Sequence, residues 1–329
     1  MIPVLRLKGT PIQQATQYGK QAAKQIHSSA NYYAKLFEMT TQQLKEAGMK
    51  YAKAIKEFNH EYYQQLQAIA TAANISLGEI LAINARSEIL NDNHYECTSV
   101  ALPNKHVLAQ TWDWAIDQRE NLVVLEIQQE HNKILTVVEA GMLGKIGLNT
   151  NNIAVALNAL TIEQELQGVP IHILLRAALD ATTKQEIQPL TKPHNTAANM
   201  LVLIQNEFIN IEHAATTTYV DSGKTPYAHT NHYLGSNIND LTQQSYQSSA
   251  YRYERTKTLI PTIQTITDVI ELLADTHNKD YPIHRMPYQK KRFGAYGTVC
   301  TVIMDTNKQE LRITTQHPSK NEWQTIHFT

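Results

Sequence analysis

The sequence predicts a mixed α/β fold, with helices covering the outer faces of layered β-sheets. Three observations carry this reading. Helix-start signals crowd the first ninety residues, and short β-branched runs take over beyond a turn-forming cluster at Asn91-Asp92-Asn93. Strand-like and helical patterns then alternate to the end of the chain, with no low-complexity linker and no repeat of fixed period. With 329 residues and 42% hydrophobic composition, the chain is long enough to bury a full core and reads as one unit.

The first helix starts at Thr10-Pro11-Ile12-Gln13, where a hydroxyl N-cap precedes a proline at the first helical position and Gln completes a capping box. Thr40-Thr41-Gln42-Gln43 repeats the box. Ser76-Leu77-Gly78-Glu79 is the best of the three, with Ile75 and Ile80 placed as a hydrophobic staple. Between the last two boxes Leu44, Ala47, Tyr51, Ile55, Phe58, Tyr62, Leu66 and Ile69 recur at steps of three and four. The spacing predicts one long helix with a buried apolar stripe, weakened locally by Gly48.

Strands are expected at 98–102, 107–114, 122–128, 133–138 and 153–158, with Gly141, Gly144 and Gly147 punctuating turns. A helix is expected from Pro170, strands at 200–204 and 216–220, helical pattern over 248–276, and closing strands at 298–304, 310–315 and 323–328.

Charge excludes some classes of function. Lys and Arg total 29 against 30 Asp and Glu, so nothing suggests broad attraction to nucleic acid or an anionic membrane. Lys290-Lys291-Arg292 reads as a solvated loop. The opening residues lack a secretory pattern, and no window approaches 18 uninterrupted apolar residues, so a soluble, cytoplasmic protein is expected. Two cysteines, Cys97 and Cys300, do not make a disulfide framework, and either alone reads first as a small buried hydrophobe.

Several motifs fail on spacing. Ser222-Gly223-Lys224-Thr225 lacks the earlier glycine of a phosphate loop, since Thr218 stands there. His229 and His232 lack the second ligand pair that a zinc site needs. The three glycines at 141, 144 and 147 do not match a dinucleotide fingerprint, and no Gly-x-Ser-x-Gly elbow occurs.

One ordered set of motifs remains: 81–88 (Leu-Ala-Ile-Asn-Ala-Arg-Ser-Glu), then Tyr95-Glu96-Cys97-Thr98-Ser99-Val100, Gln110-Thr111-Trp112-Asp113-Trp114, and Glu139-Ala140-Gly141 leading into Gly144-Lys145-Ile146-Gly147-Leu148-Asn149. Gly168-Val169-Pro170, Leu174-Leu175-Arg176 and His229-Thr230-Asn231-His232-Tyr233 complete it. In this set the chain resembles the isopenicillin N acyltransferase family of N-terminal-nucleophile hydrolases. More distantly, it is similar to bile-salt hydrolases and penicillin V acylases.

The resemblance implies a four-layer αββα sandwich with an N-terminal helical segment, made as a precursor that cuts itself at Glu96–Cys97. Residues 1–96 would form an α chain and residues 97–329 a β chain, held together by a shared core. Cys97 would then be the nucleophile and its new α-amine the base. The amine's reference pKa of about 7.7–8.0 suits proton exchange with a thiol near neutral pH. By the same likeness Asp113 orients the amine, Asn231 supplies the oxyanion hole, and His229 and His232 give flanking support. Cys300 falls on a late strand near the site, as a neighbour of the chemistry or simply a packed thiol. Glu96 departs from the family, whose penicillin-producing members carry a small residue there, so a carboxylate would tune or slow the cut.

The expected function is hydrolysis, or else transfer, of the acyl group of a small N-acylated amine or amino acid through a Cys97 thioester. The chemistry requires no cofactor and no metal. An acyl-CoA donor is a candidate partner whose phosphates Lys290, Lys291 and Arg292 could meet, and a homo-oligomer is compatible with it. The competing reading is an uncleaved, thiol-bearing scaffold of the same fold.

Overall fold

The three capping boxes start three helices. A computed structural model of the chain describes residues 1–91, 96–235 and 246–329. In it Thr10, Thr40 and Ser76 each accept the backbone N–H three residues on. Each donates its own backbone N–H to the side chain of Gln13, Gln43 or Glu79. Two orphan donors at each helix start are thereby satisfied. Asp92, Asn93 and Tyr95, singled out in the sequence, lie outside the described residues.

In chain order the first part comprises a strand β1 (Val4–Leu7), then α1 (Pro11–Gln21), α2 (Ala23–Leu36), α3 (Thr41–Met49), α4 (Ala52–Phe58), α5 (His60–Ala73), α6 (Leu77–Asn84) and α7 (Arg86–Leu90). The single long helix expected over the apolar stripe is instead three, α3 to α5. The second break has a local cause: Asn59 is extended (φ −154°) and its side chain accepts the Tyr62 N–H, an N-cap that starts a new helix. The first break falls just after Gly48. That glycine is where α3 crosses α6, and a Cβ there would lie 1.9 Å from the Gly78 carbonyl oxygen, so the close crossing demands glycine. The stripe is still core: Leu44, Tyr51, Ile55, Tyr62, Leu66 and Ile69 are all buried. Periodicity identified the buried face correctly and overstated the length of helix behind it.

The second part runs β2 (Thr98–Leu102), β3 (Val107–Ala115), β4 (Leu122–Gln128), β5 (Lys133–Glu139), β6 (Ile146–Asn149), β7 (Ile153–Ala159), α8 (Ile171–Asp180), α9 (Lys184–Ile187), β8 (Ala197–Ile204), β9 (Glu207–Ala214), β10 (Thr217–Gly223) and β11 (Tyr227–His229). Then follow α10 (Tyr246–Leu259), α11 (Ile266–Leu273), β12 (Tyr288–Lys290), β13 (Gly294–Asp305), β14 (Glu310–Thr314) and β15 (Gln324–His327). Sequence patterning found most of the strands but missed β1, β6, β9, β11 and β12. Four of these have four residues or fewer, and β9 carries buried polar Asn210, Glu212 and His213 among its apolar residues.

The strands form two sheets. One has eight strands in the order β1-β4-β5-β6-β7-β8-β9-β10, antiparallel except for the parallel β1–β4 pair. The other has seven, in the order β11-β2-β3-β13-β14-β15, with β12 on β13. The two-residue strand period sorts side chains between two cores. On β2 and β3, Ala101, Leu108 and Trp112 enter the central core between the sheets, while Val100, Leu102, Val107 and Ala109 pack with Val269, Leu272 and Leu273 of α11. Helix α8 packs on the eight-stranded sheet. The result is the four-layer αββα sandwich, with the N-terminal helices packed into the same core. That central core draws on residues from Ile2 to Ile326 on both sides of residue 96.

Candidate active site

The polar centre lies where β2 begins, β3 ends and β11 gives way to the turn carrying Asn231. Cys97, just ahead of β2, is buried, and its backbone is gripped by side chains from three other elements. Its N–H donates to Asn231 Oδ1 at 2.6 Å. Its carbonyl accepts from Arg252 Nη1 of α10 at 2.7 Å and from Asn158 Nδ2 of β7 at 3.2 Å. Arg252 also reaches Thr98 Oγ1 (2.9 Å) and Asn231 Oδ1 (3.2 Å), so one guanidinium ties the start of β2 to the Asn231 turn.

The Asn231 turn is itself held at several points. Its backbone N–H donates to Ser249 Oγ of α10 at 2.7 Å. Behind it, the buried Glu212 carboxylate accepts the Leu234 and Gly235 N–H groups and faces His229 Nε2 at 2.8 Å, while His229 Nδ1 faces the Thr230 carbonyl at 2.7 Å. His229 thus bridges the Glu212 carboxylate and the Thr230 carbonyl and fixes the turn. His232 meets Ser249 Oγ at 2.8 Å and Thr230 Oγ1 at 3.2 Å.

Asn231 Nδ2 donates to the Ala159 carbonyl at 3.0 Å. Asn231 therefore presents its acceptor oxygen to Cys97 and has its amide donor engaged on β7.

Asp113, near the end of β3, is buried. Thr298 donates to its Oδ1 at 2.6 Å, Arg285 Nε stands 4.0 Å from Oδ2, and Oδ2 has no hydrogen-bond partner among the described residues. Burial raises its carboxyl to about 7, against the lowering pull of Arg285, the Thr298 bond and Arg252; Glu96 adds to the rise. The Cys97 thiol is pushed up to about 11 by burial and by the charge of Asp113, while the Asp113 backbone N–H, Lys145 and Arg252 oppose the shift. The unassisted thiol is therefore a poor nucleophile, and it needs a base beside it.

Glu96, the residue before Cys97, is held by cations. Its Oε2 lies 2.8 Å from Arg285 Nε, an ion-pair contact without hydrogen-bond alignment, and 3.9 Å from Lys290 Nζ. Ser248 and the Tyr288 hydroxyl each donate to it at 3.4 Å. Lys290, expected in a solvated loop, instead turns inward over the Tyr296 ring at 3.9 Å; Lys291 stays exposed, and Arg292 donates to the Leu36 carbonyl.

Close to Cys97 sits a buried charge network. Glu139 accepts from Tyr33 and pairs with Arg86 Nε (3.0 Å) and Lys145 Nζ (3.3 Å). Lys145 Nζ lies 3.2 Å from the Trp112 ring centroid, and burial and Arg86 lower its pKa to about 7. Cys300 pairs in register with Trp112, and extending the Thr98–Thr111 pairing by one places Cys97 on Trp112's other side. The two cysteines are thus two strands apart, roughly 10 Å, beyond the reach of a disulfide.

Sequence reasoning named Cys97, Asp113, Asn231 and Glu96, which the fold brings together. It missed Arg252, Asn158, Arg285 and Tyr288. A signal for Arg252 did exist: Ser248, Arg252 and Thr256 stand four apart on one face of α10 and are all buried, a polar stripe where an apolar one belongs. The others join the site only through cross-chain packing.

Two facing sheets between helical layers, with this polar centre at one end, are the architecture of the N-terminal-nucleophile hydrolases. A conjugated bile acid hydrolase from Clostridium perfringens superposes with a TM-score of 0.51 at 12% identity, over 70% of this chain and 92% of that one. A penicillin V acylase from Agrobacterium tumefaciens gives 0.43 at 10% identity, over 67% and 82%.

Within that class the chain belongs to the acyl-coenzyme A:6-aminopenicillanic acid acyl-transferase family, whose model matches residues 100–320. The 40 kDa form of acyl-coenzyme A:6-aminopenicillanic-acid-acyltransferase from Emericella nidulans is 28% identical over 211 residues. The match covers 60% of this chain and 59% of that relative's length.

Proposed function

We propose that the chain cuts itself at Glu96–Cys97 and then uses Cys97 to cleave or transfer the acyl group of small N-acylated amines. The observation that carries this is the grip on Cys97: both its backbone N and its carbonyl are bonded by side chains from separate elements, with an unpartnered Asp113 oxygen nearby. A merely packed thiol needs no such investment of buried polar groups.

In the self-cleavage step the Cys97 sulfur attacks the Glu96 carbonyl carbon. The C–S bond forms, the C–N bond breaks, and the nitrogen takes up a proton to become an amine. Water then hydrolyses the thioester, releasing Glu96 as a carboxylate and restoring the thiol. Asn231 Oδ1, which holds the Cys97 N–H in the uncut chain, is placed to hold the amine, and the Asp113 carboxylate to orient it. An oxyanion role for Asn231 requires its Nδ2 to leave the Ala159 carbonyl.

The same cycle then runs on a substrate amide. The thiol takes the acyl group, the amine leaves with a proton, and water or a second amine accepts the acyl group. Hydrolysis is the favoured outcome because water is always present, and an acyl-CoA thioester is an alternative donor. Two cysteines too far apart to pair suit a reducing, cytoplasmic setting. Among the described residues no helix is long and apolar enough to cross a membrane.

Intact mass spectrometry of the wild-type chain beside Cys97→Ala tests the reading. Fragments of about 11 and 26 kDa, the length shares of 37.3 kDa, are expected from wild type only, the larger beginning at Cys97. A single full-length species in both would instead support an uncleaved scaffold.

A further inference from the structure

Strand β13 does not run straight past the site. Thr298 pairs with Asp113 and Cys300 with Trp112, so β13 spends one extra residue, Val299, on a single step of β3. Without that bulge one half of the strand would slip by a residue and its side chains would change faces. Arg119, from the turn between β3 and β4, holds the bulge. Its Nε donates to the Val299 carbonyl at 3.1 Å and its Nη2 to the Thr298 carbonyl at 2.5 Å. Gly297 lets the Arg285 segment lie against the strand here, since a Cβ would fall 2.9 Å from the Arg285 carbonyl oxygen.

The bulge sets the Thr298 side chain between two groups, and its bonding has a direction. The Arg285 backbone N–H donates to Thr298 Oγ1 at 2.8 Å, and the Thr298 N–H returns a bond to the Arg285 carbonyl at 2.9 Å. A backbone N–H can only donate, so Oγ1 accepts there and gives its single proton to Asp113 Oδ1 at 2.6 Å. Oδ1 is thereby committed as an acceptor. A proton on Asp113 belongs on Oδ2, which is buried and has no hydrogen-bond partner among the described residues. The Asp113 backbone N–H bonds the Cys97 sulfur, and the thiol feels the charge of the carboxylate.

In the uncut chain the Cys97 nitrogen is an amide and cannot take the thiol proton. Resting on the self-cleavage reading above, we propose that Thr298 is a positioning residue for that cut: by occupying Oδ1 it reserves Oδ2 of Asp113 as the carrier of the thiol proton. The proton passes from sulfur to Oδ2 as sulfur attacks the Glu96 carbonyl carbon. It passes on to the Cys97 nitrogen as the C–N bond breaks, and Asp113 ends the step as the carboxylate it was at the start.

The other titratable groups facing Asp113 are Glu96, Arg252 of α10, Arg285, the Cys97 and Cys300 thiols, and the Tyr288 and Tyr296 hydroxyls. A substitution at Thr298 leaves all of these side chains in place, so a changed pH dependence reports on Asp113.

The test makes full-length wild type, Thr298→Val and Thr298→Ser by cell-free translation and follows the loss of the 37.3 kDa band from pH 5.5 to 9. Wild type should slow below about pH 7, where Asp113 already holds a proton before the attack. Thr298→Val loses a bond that favours the carboxylate, so this acid limb should move up by about one unit. Its rate relative to wild type then falls about eightfold further at pH 6 than at pH 9. Thr298→Ser keeps the hydroxyl and should keep the wild-type limb. A purely structural loss would lower the rate alike at every pH.

A limb unmoved in Thr298→Val, or moved equally in Thr298→Ser, would overturn the role of Thr298 and leave self-cleavage standing. If Thr298→Val stays uncut throughout, the same comparison is made on unfolding in a Cys97→Ala background, where an unshifted pH dependence overturns it. Wild type that stays uncut at every pH would overturn the self-cleavage reading and this role with it.

Discussion

Replacing Asp113 by Asn should change how stability depends on pH. Burial holds the carboxyl at about 7 in the folded chain, against its ordinary value of 3.8. The gap is about three units, and at 1.36 kcal/mol per unit it amounts to about 4 kcal/mol. The sign follows from proton binding. The folded chain holds this proton more tightly than the unfolded one, so the contribution is fully present below about pH 4 and drains away as pH rises through about 7. Asn does not titrate. Its amide would leave one N–H2 without a partner where Oδ2 now has none, a penalty of about 1–3 kcal/mol that does not vary with pH.

The informative quantity is therefore the slope of the difference between the two proteins. Denaturant unfolding, followed by tryptophan fluorescence at pH 5, 6, 7 and 8, would measure it in a Cys97→Ala background that keeps both chains uncut. From pH 5 to 7 the Asp113 protein should lose about 2.3 kcal/mol in all relative to Asp113→Asn, flattening above pH 7. A difference constant within about 0.5 kcal/mol, the scatter expected of independent sites, would show that Asp113 ionises in the ordinary range. The account of why this site holds a spare proton would then be wrong.

Two further perturbations probe the frame around the nucleophile. Arg252→Met should slow self-cleavage by about 10²-fold, the loss expected when a group that positions the attacking residue is removed, read as the half-time of the 37.3 kDa band. A change of less than threefold would mean that its bond to the Cys97 carbonyl is dispensable. Glu139→Gln should destabilise the fold by about 3–5 kcal/mol, because Arg86 and Lys145 would be left buried beside a neutral group. An unchanged denaturation midpoint would show that the two cations find other compensation.

What these experiments address was unevenly legible in the sequence, for physical reasons. Helix starts were readable because a capping box is a contact between residues three apart, and all three expected boxes form. The buried stripe from Leu44 to Ile69 was readable because periodicity records burial. The break at Asn59 was not, because periodicity is blind to a cap within a continuing pattern. Cys97, Asp113 and Asn231 stood out through ordered motifs. Glu96 stood out as a departure, yet its meaning needed the cations that surround it.

The sequence by itself determined the class of fold, the position of the candidate nucleophile and the residues flanking it, since each is written in neighbours within a few positions. Only the tertiary structure decided what Cys97 touches. Asn158, Asn231 and Arg252 lie 61, 134 and 155 residues away from it along the chain. Their meeting depends on two sheets packing face to face and on a helix laid across the end of one of them. The raised pKa of Asp113 and the grouping of cations around Glu96 arise from the same packing, because burial and the nearness of charge are properties of the folded volume and have no counterpart in residue order.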